Sequence, residues 1–194
     1  MELVFVTANA HKAAEVQKVV STAIKIVSLK DINCNDDIEE TATTFQGNAL
    51  LKAKHVYNKY NKNCFADDSG LEVEALNNEP GVFSARYAGV PKSDEKNTAK
   101  LLKNLEGIEN RKARFRTVIA LILDGKEYLF EGIIEGTIAQ QPIGTNGFGY
   151  DPVFIPAGYT KTFAQMTAEE KNQISHRAIA VSKMNEFLKA QNKS

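Results

Sequence analysis

Short apolar runs rich in β-branched residues alternate along this chain with segments of helical spacing, the pattern of an α/β protein. Residues 3–6, Leu3-Val4-Phe5-Val6, read as a buried strand. After a turn at residues 7–10, Val16, Val19 and Val20 recur at helical spacing, and residues 24–29 read as a second strand. Residues 31–43 are acidic and without a period, hence a loop. Phe45, Ala49, Ala53, Val56 and Tyr60 share one face of a long helix. That helix leads into an apolar run ending in Asp67 and Asp68.

Residues 71–75 alternate as a half-exposed strand, and residues 77–81 form a turn cluster. Ser93 fits the N-cap of a helix through Leu105, with Asp94 and Glu95 in its first turn. Asp124-Gly125, between β-rich runs at 115–123 and 126–134, is a strong hairpin signal. Thr167 and Glu170 fit a capping box. The last helix spans residues 175–190, with Ala178, Val181, Met184 and Leu188 inward. The order β-α-β-α-β-β-α-β-β, then a loop-rich segment and a helix, mixes crossovers with hairpins and predicts a mixed sheet.

Composition narrows the function. At 194 residues, 43% hydrophobic and 25% charged, the chain is ordinary globular protein with enough length for a core. Twenty-four basic residues balance twenty-four acidic ones, which argues against broad nucleic-acid binding but not against a small anion. Cys34 and Cys64 suit free thiols in a reducing compartment. No run approaches a membrane span and no signal peptide opens the chain, so a cytoplasmic protein is expected.

Three segments could carry chemistry beside the aspartate pair. Thr7-Ala8-Asn9-Ala10-His11-Lys12 joins a strand to a helix, where free N–H groups and a lysine would seat a phosphate; Asn9 serving only as a cap is the plainer reading. Gly144 to Pro152 holds three glycines, Phe148 as a stacking platform, and Asp151 as an acceptor for a purine N–H or a ribose. Lys171 and Ser175-His176-Arg177 form the last. Arg177 carries only donors and would accept a 6-oxo purine edge, whereas His176 suits capping or packing. Adjacent carboxylates after a strand suit a metal, a positioned water or a surface turn. They face opposite ways in an extended strand, so they should differ in role.

The chain resembles the inosine/xanthosine triphosphate pyrophosphatases. The resemblance rests on residues 7–12, on Asn48-Ala49-Leu50-Leu51-Lys52-Ala53, and on Ala66-Asp67-Asp68-Ser69-Gly70-Leu71. It continues through Gly81-Val82-Phe83-Ser84-Ala85-Arg86-Tyr87, Gly147-Phe148-Gly149-Tyr150-Asp151-Pro152, Lys171 and Ser175-His176-Arg177, all in the family's order. It implies one domain over residues 1–194, an elongated mixed β-sheet flanked by helices, and two lobes around a central nucleotide-binding cleft. It also implies a homodimer and Mg²⁺-dependent hydrolysis of ITP, dITP or XTP to the monophosphate and pyrophosphate.

Residue by residue, the resemblance places Thr7, Ala8, Asn9, Ala10, His11 and Lys12 on the triphosphate, with Lys12 also catalytic and Lys52 binding substrate. Asp68 becomes general base and metal ligand, with Asp67 as supporting ligand. Ser69, Phe148, Gly149, Tyr150, Asp151, Lys171, His176 and Arg177 hold the nucleotide. Where the family carries a glutamate just before the Asn-Ala of its second motif, this chain has Gly47; Glu39, Glu40, Asp67 or water is left to supply that oxygen. A non-catalytic nucleotide sensor that lost a metal ligand at Gly47 is the competing class. An aspartate near its reference pKa of about 3.9 is a weak base at neutral pH, so Asp68 is expected to position water and metal more than to remove a proton.

Overall fold

The computed structural model describes residues 1–191, and its mixed α/β architecture agrees with the sequence reading. Seven strands form one sheet in the order β2-β1-β3-β5-β6-β7, with β4 paired to β3. They are β1 (Glu2–Phe5), β2 (Lys25–Val27), β3 (Cys64–Val73), β4 (Glu79–Pro80), β5 (Lys112–Leu123), β6 (Lys126–Ile138) and β7 (Phe154–Pro156). The helices are α1 (Ala10–Val19), α2 (Phe45–Tyr60), α3 (Asp94–Asn104), α4 (Ala168–Ile174) and α5 (His176–Gln191). β1 pairs in parallel with β2 and β3, while β4 and β7 run antiparallel to β3 and β6. The residues separate into two compact units. The first holds Met1–Asp68, Thr117–Gly132 and the chain from Arg177 onward; the second holds Ser69–Arg116 and Ile133–His176.

Strand alternation builds the core of the first unit. Leu3, Phe5, Phe65, Ile119 and Leu121 share a cluster with Val16 of α1, Val20 just past its end, and Val181, Met184 and Leu188 of α5. The intervening residues Val4, Val6, Cys64, Ala66, Ala120 and Ile122 cluster with Ala49, Ala53 and Val56 of α2. These strands are therefore buried on both faces, which explains their unbroken apolar runs. Phe5 and Phe65 stack with ring centroids 4.6 Å apart. In the second unit Leu71, Leu101, Leu105, Phe115, Phe154 and Phe163 form a separate core.

Local signals did most of the placing. Asn9, Thr44, Ser93 and Thr167 cap α1, α2, α3 and α4, and Thr167 with Glu170 completes the expected capping box. Asp124 and Gly125 both take positive φ, as a type I′ hairpin turn requires. Two expectations change. The run ending at Asp68 and residues 71–73 are one continuous strand, β3, and residues 74–75, expected to extend the strand, begin a 3-10 turn. Glu72 of β3, expected on an open face, is buried because the Arg114 Nε at 2.6 Å and the Arg116 Nη1 at 3.6 Å compensate its charge.

Candidate active site

The alternation that builds the first unit's core also parts the two aspartates. Asp67 follows Phe65 onto the α1 and α5 side, and Asp68 follows Ala66 onto the α2 side. Asp67 is 1% exposed, and its Oδ2 lies 3.1 Å from the Lys12 Nζ and 3.3 Å from the Arg177 Nε. The Lys52 ammonium donates to the Asp67 carbonyl oxygen. Burial alone would push Asp67 up, but Lys12, Arg177 and Lys52 outweigh it and hold the carboxyl well below the usual range. Arg177 is itself buried, and its Nη1 is bonded to Glu15 on α1.

Asp68 has different company. The Asn48 Nδ2 donates to its Oδ2 at 3.1 Å, while the Asn48 Oδ1 accepts from the backbone N–H of Ala42 at 2.9 Å. Burial pushes the Asp68 carboxyl up to about 7; Lys52 opposes that and Glu40 adds to it. The expectation of a near-ordinary, weakly basic aspartate is therefore corrected, because Asp68 is 6% exposed and Glu40 adds to the effect of its burial. Glu40 also lies 3.4 Å from the Lys52 Nζ.

The turn into α1 departs in part from its expectation. The Asn9 Oδ1 accepts from the N–H groups of His11 and Lys12, so those two donors are already used. The Thr7 Oγ1 accepts from the Asn9 N–H at 3.1 Å. Ala8, Asn9, Ala10 and His11 are exposed and Thr7 is partly so. Lys12 is not a solvated lysine but is drawn in to Asp67. Positive charge at this turn thus comes from side chains more than from open backbone donors.

The remaining candidates lie in the second unit. Gly147 bends the chain so closely over Asp151 that a Cβ there would collide with the carboxylate. Asp151 is buried; its Oδ2 accepts from the Phe148 N–H at 3.1 Å and meets the Lys171 Nζ at 2.6 Å. That ammonium also sits 4.9 Å from the centre of the Phe148 ring, a cation–π contact. Phe148, Gly149 and Ser69 are partly exposed. Tyr150 and His176 turn inward: the Tyr150 hydroxyl donates to the Ser84 carbonyl at 2.6 Å, and the His176 ring stacks on Phe115 at 4.6 Å.

Sequence reasoning missed Glu15 and gave Asn48 no role. Lys12 and Glu15 are three residues apart on α1, a spacing that puts them on one face and could have flagged the pair. Arg177 was expected at a purine edge, whereas the structure turns its Nε and Nη1 onto Asp67 and Glu15. Gly47 has a steric cause. A Cβ at this position would stand 2.7 Å from the Ala42 Cβ and 2.9 Å from the Thr44 Oγ1, the oxygen that caps α2 through the Gly47 N–H. Gly47→Glu should therefore cost about 1–3 kcal/mol of stability by overpacking and leave cation affinity no higher. Urea unfolding and a cation titration would check both.

A mixed α/β sheet that delivers one cation-bound aspartate and one buried, amide-held aspartate from consecutive positions has the parts of a phosphoanhydride hydrolase. The comparisons with known proteins agree. The chain belongs to the Ham1 family, whose model matches residues 3–187. It is 54% identical over 190 residues to the dITP/XTP pyrophosphatase of Flavobacterium johnsoniae, covering 98% of this chain and 99% of that protein. Over 188 residues it is 56% identical to the dITP/XTP pyrophosphatase of Porphyromonas gingivalis, covering 96% and 97%. The solved Ham1 protein of Staphylococcus aureus matches with a TM-score of 0.90 at 42% identity, covering 98% of this chain and 100% of that one.

Proposed function

We propose that this chain hydrolyses inosine, deoxyinosine and xanthosine triphosphates to the monophosphate and pyrophosphate, clearing deaminated purines from the nucleotide pool. The observation that carries this is the split of Asp67 from Asp68 on β3. One aspartate gathers Lys12, Lys52 and Arg177, a cation group suited to a triphosphate; the other is held by Asn48, and its burial outweighs the pull of Lys52 and Lys12. The names of the relatives support the substrate class.

In this reading Lys12 and Lys52, with the exposed turn at residues 7–11, receive the phosphates. Asp68 orients a water against the α-phosphorus and takes its proton. The bond from that phosphorus to the bridging oxygen breaks, and pyrophosphate leaves toward the lysines. Phe148 stacks on the base, while Ser69, Gly149, Asp151 and Lys171 shape its surroundings. His176 and Tyr150 act from inside by fixing those segments.

A divalent cation fits the acidic residues around Asp68. Two carboxylates close enough for Glu40 to raise Asp68 offer hard oxygens and a repulsion that a cation would relieve. We assign it to Asp68 and Glu40, with Mg²⁺ as the ion; when bound it would offset charge on the triphosphate. Asp67, facing Lys12 and Arg177, does not suit a metal. With Glu40 in that role a sensor that lost its ligand at Gly47 is not favoured, and the names of the relatives support an enzyme. A homodimer and a cytoplasmic location complete the reading; among the described residues no helix is long and apolar enough to cross a membrane.

Pyrophosphate release from ITP, XTP, GTP and ATP with Mg²⁺ tests the proposal. Release from ITP and XTP far above ATP is expected, and none from any of them would overturn it. Phe148→Ala should raise the KM for ITP roughly 5–150-fold, the equivalent of about 1–3 kcal/mol of base stacking, with kcat little changed. An unchanged KM would move the base away from Phe148.

A further inference from the structure

Glu40 lies in a segment, residues 34–42, that has no regular secondary structure. A carboxylate that helps hold a cation needs a fixed position, and loops alone supply it poorly. This loop is fastened at several points. The Cys34 N–H donates to the Leu29 carbonyl at 2.9 Å, Ile38 packs against the α2 cluster, and the Ala42 N–H reaches Asn48. The strongest fastening is at Asp36. Its Oδ2 lies 2.7 Å from the His55 Nε2, 2.7 Å from the Lys59 Nζ and 3.4 Å from the Tyr60 hydroxyl. Hydrogen bonds from His55, then Lys59, hold the carboxyl down at about 2, so it stays charged throughout the neutral range.

Besides Tyr60, four residues of α2 touch this loop or its Glu40: Asn48, Lys52, His55 and Lys59. They recur at intervals of four, three and four, so they form one stripe of the helix. The same stripe therefore carries Asn48, which holds Asp68, Lys52, which meets Glu40, and the two donors that grip Asp36. We propose that Asp36 is a positioning residue: its clamp on His55 and Lys59 fixes Glu40 and so sets the affinity for the divalent cation. The inference rests on the assignment of Glu40 and Asp68 to that cation. Asp36 touches neither the cation nor the nucleotide; it acts through the loop.

The test uses the full chain without nucleotide and Mn²⁺ as probe, with free Mn²⁺ counted by its electron paramagnetic resonance signal. Asp36→Ala is expected to weaken Mn²⁺ binding about 10-fold, the low end for losing an outer partner of a metal ligand. At saturating cation its kcat should return to within about twofold of the parent. The pair His55→Leu with Lys59→Met removes the two short contacts of the clamp from the helix side and should give the same shift, and it serves if Asp36→Ala does not fold. Glu40→Gln is the reference. Weakened binding in Glu40→Gln with parental binding in both clamp variants overturns the role of Asp36. Parental binding in all three overturns the cation assignment and this inference with it.

Discussion

Asp68→Asn should lower pyrophosphate release from ITP by about 10²–10⁴-fold, the range for losing a positioned acid–base group, with a near-parental melting temperature. The amide keeps the shape of the side chain and can still bond Asn48, so the local structure has no reason to rearrange. What it loses is the ability to take a proton and one of the two negative oxygens that would face a cation. Its neighbour Glu40 also loses a like charge, which relieves repulsion and helps to keep the fold intact. Steady-state rates at saturating ITP and Mg²⁺, beside a thermal melt, separate these effects. A rate close to the parent would remove Asp68 from the chemistry.

Asp67→Asn should act in the opposite way, on stability first. Asp67 is 1% exposed and takes the Lys12 ammonium and the Arg177 guanidinium on one oxygen. Removing its charge leaves those cations partly buried and facing each other, and breaking a buried pair from one side costs about 3–5 kcal/mol. For a chain of this size that is a fall in melting temperature of roughly 6–20 °C. The sign with pH follows from the depressed carboxyl. The stabilisation is fully present above the unfolded-state pKa of about 3.9 and is lost only as pH falls through the lower folded value. Parent and variant should therefore converge only in strong acid. A variant as stable as the parent at neutral pH would show that the cations find other partners.

Adjacent residues of the same type thus have opposite expected signatures, and that difference was legible before any coordinates. Period-two alternation requires Asp67 and Asp68 to face apart, as Phe65 and Ala66 do before them. Leu3-Val4-Phe5-Val6 was readable as a strand buried on both sides for the same local reason, and Asn9, Ser93 and Thr167 as caps because each needs only its own helix's first turn. The Asp124-Gly125 hairpin is equally local. These features depend on a few consecutive residues, so the sequence by itself determined the α/β order, the faces of the main helices and the segments that resemble the pyrophosphatase family.

The tertiary structure alone decided which charges meet. Arg177 and Asp67 lie 110 residues apart in sequence, and no periodicity connects them. The Arg177 Nε and Nη1 meet Asp67 and Glu15, partners that only the fold supplies. Glu40 was one of several acidic residues in an aperiodic loop until the stripe Asn48, Lys52, His55 and Lys59 singled it out. At Gly47, Ala42 and Thr44 crowd the space a side chain would need, which no local pattern shows. The physical reason is common to all three. Secondary structure follows from local sterics and hydrogen bonding, whereas a buried charge takes whatever partner the fold brings within a few ångströms once water has been removed.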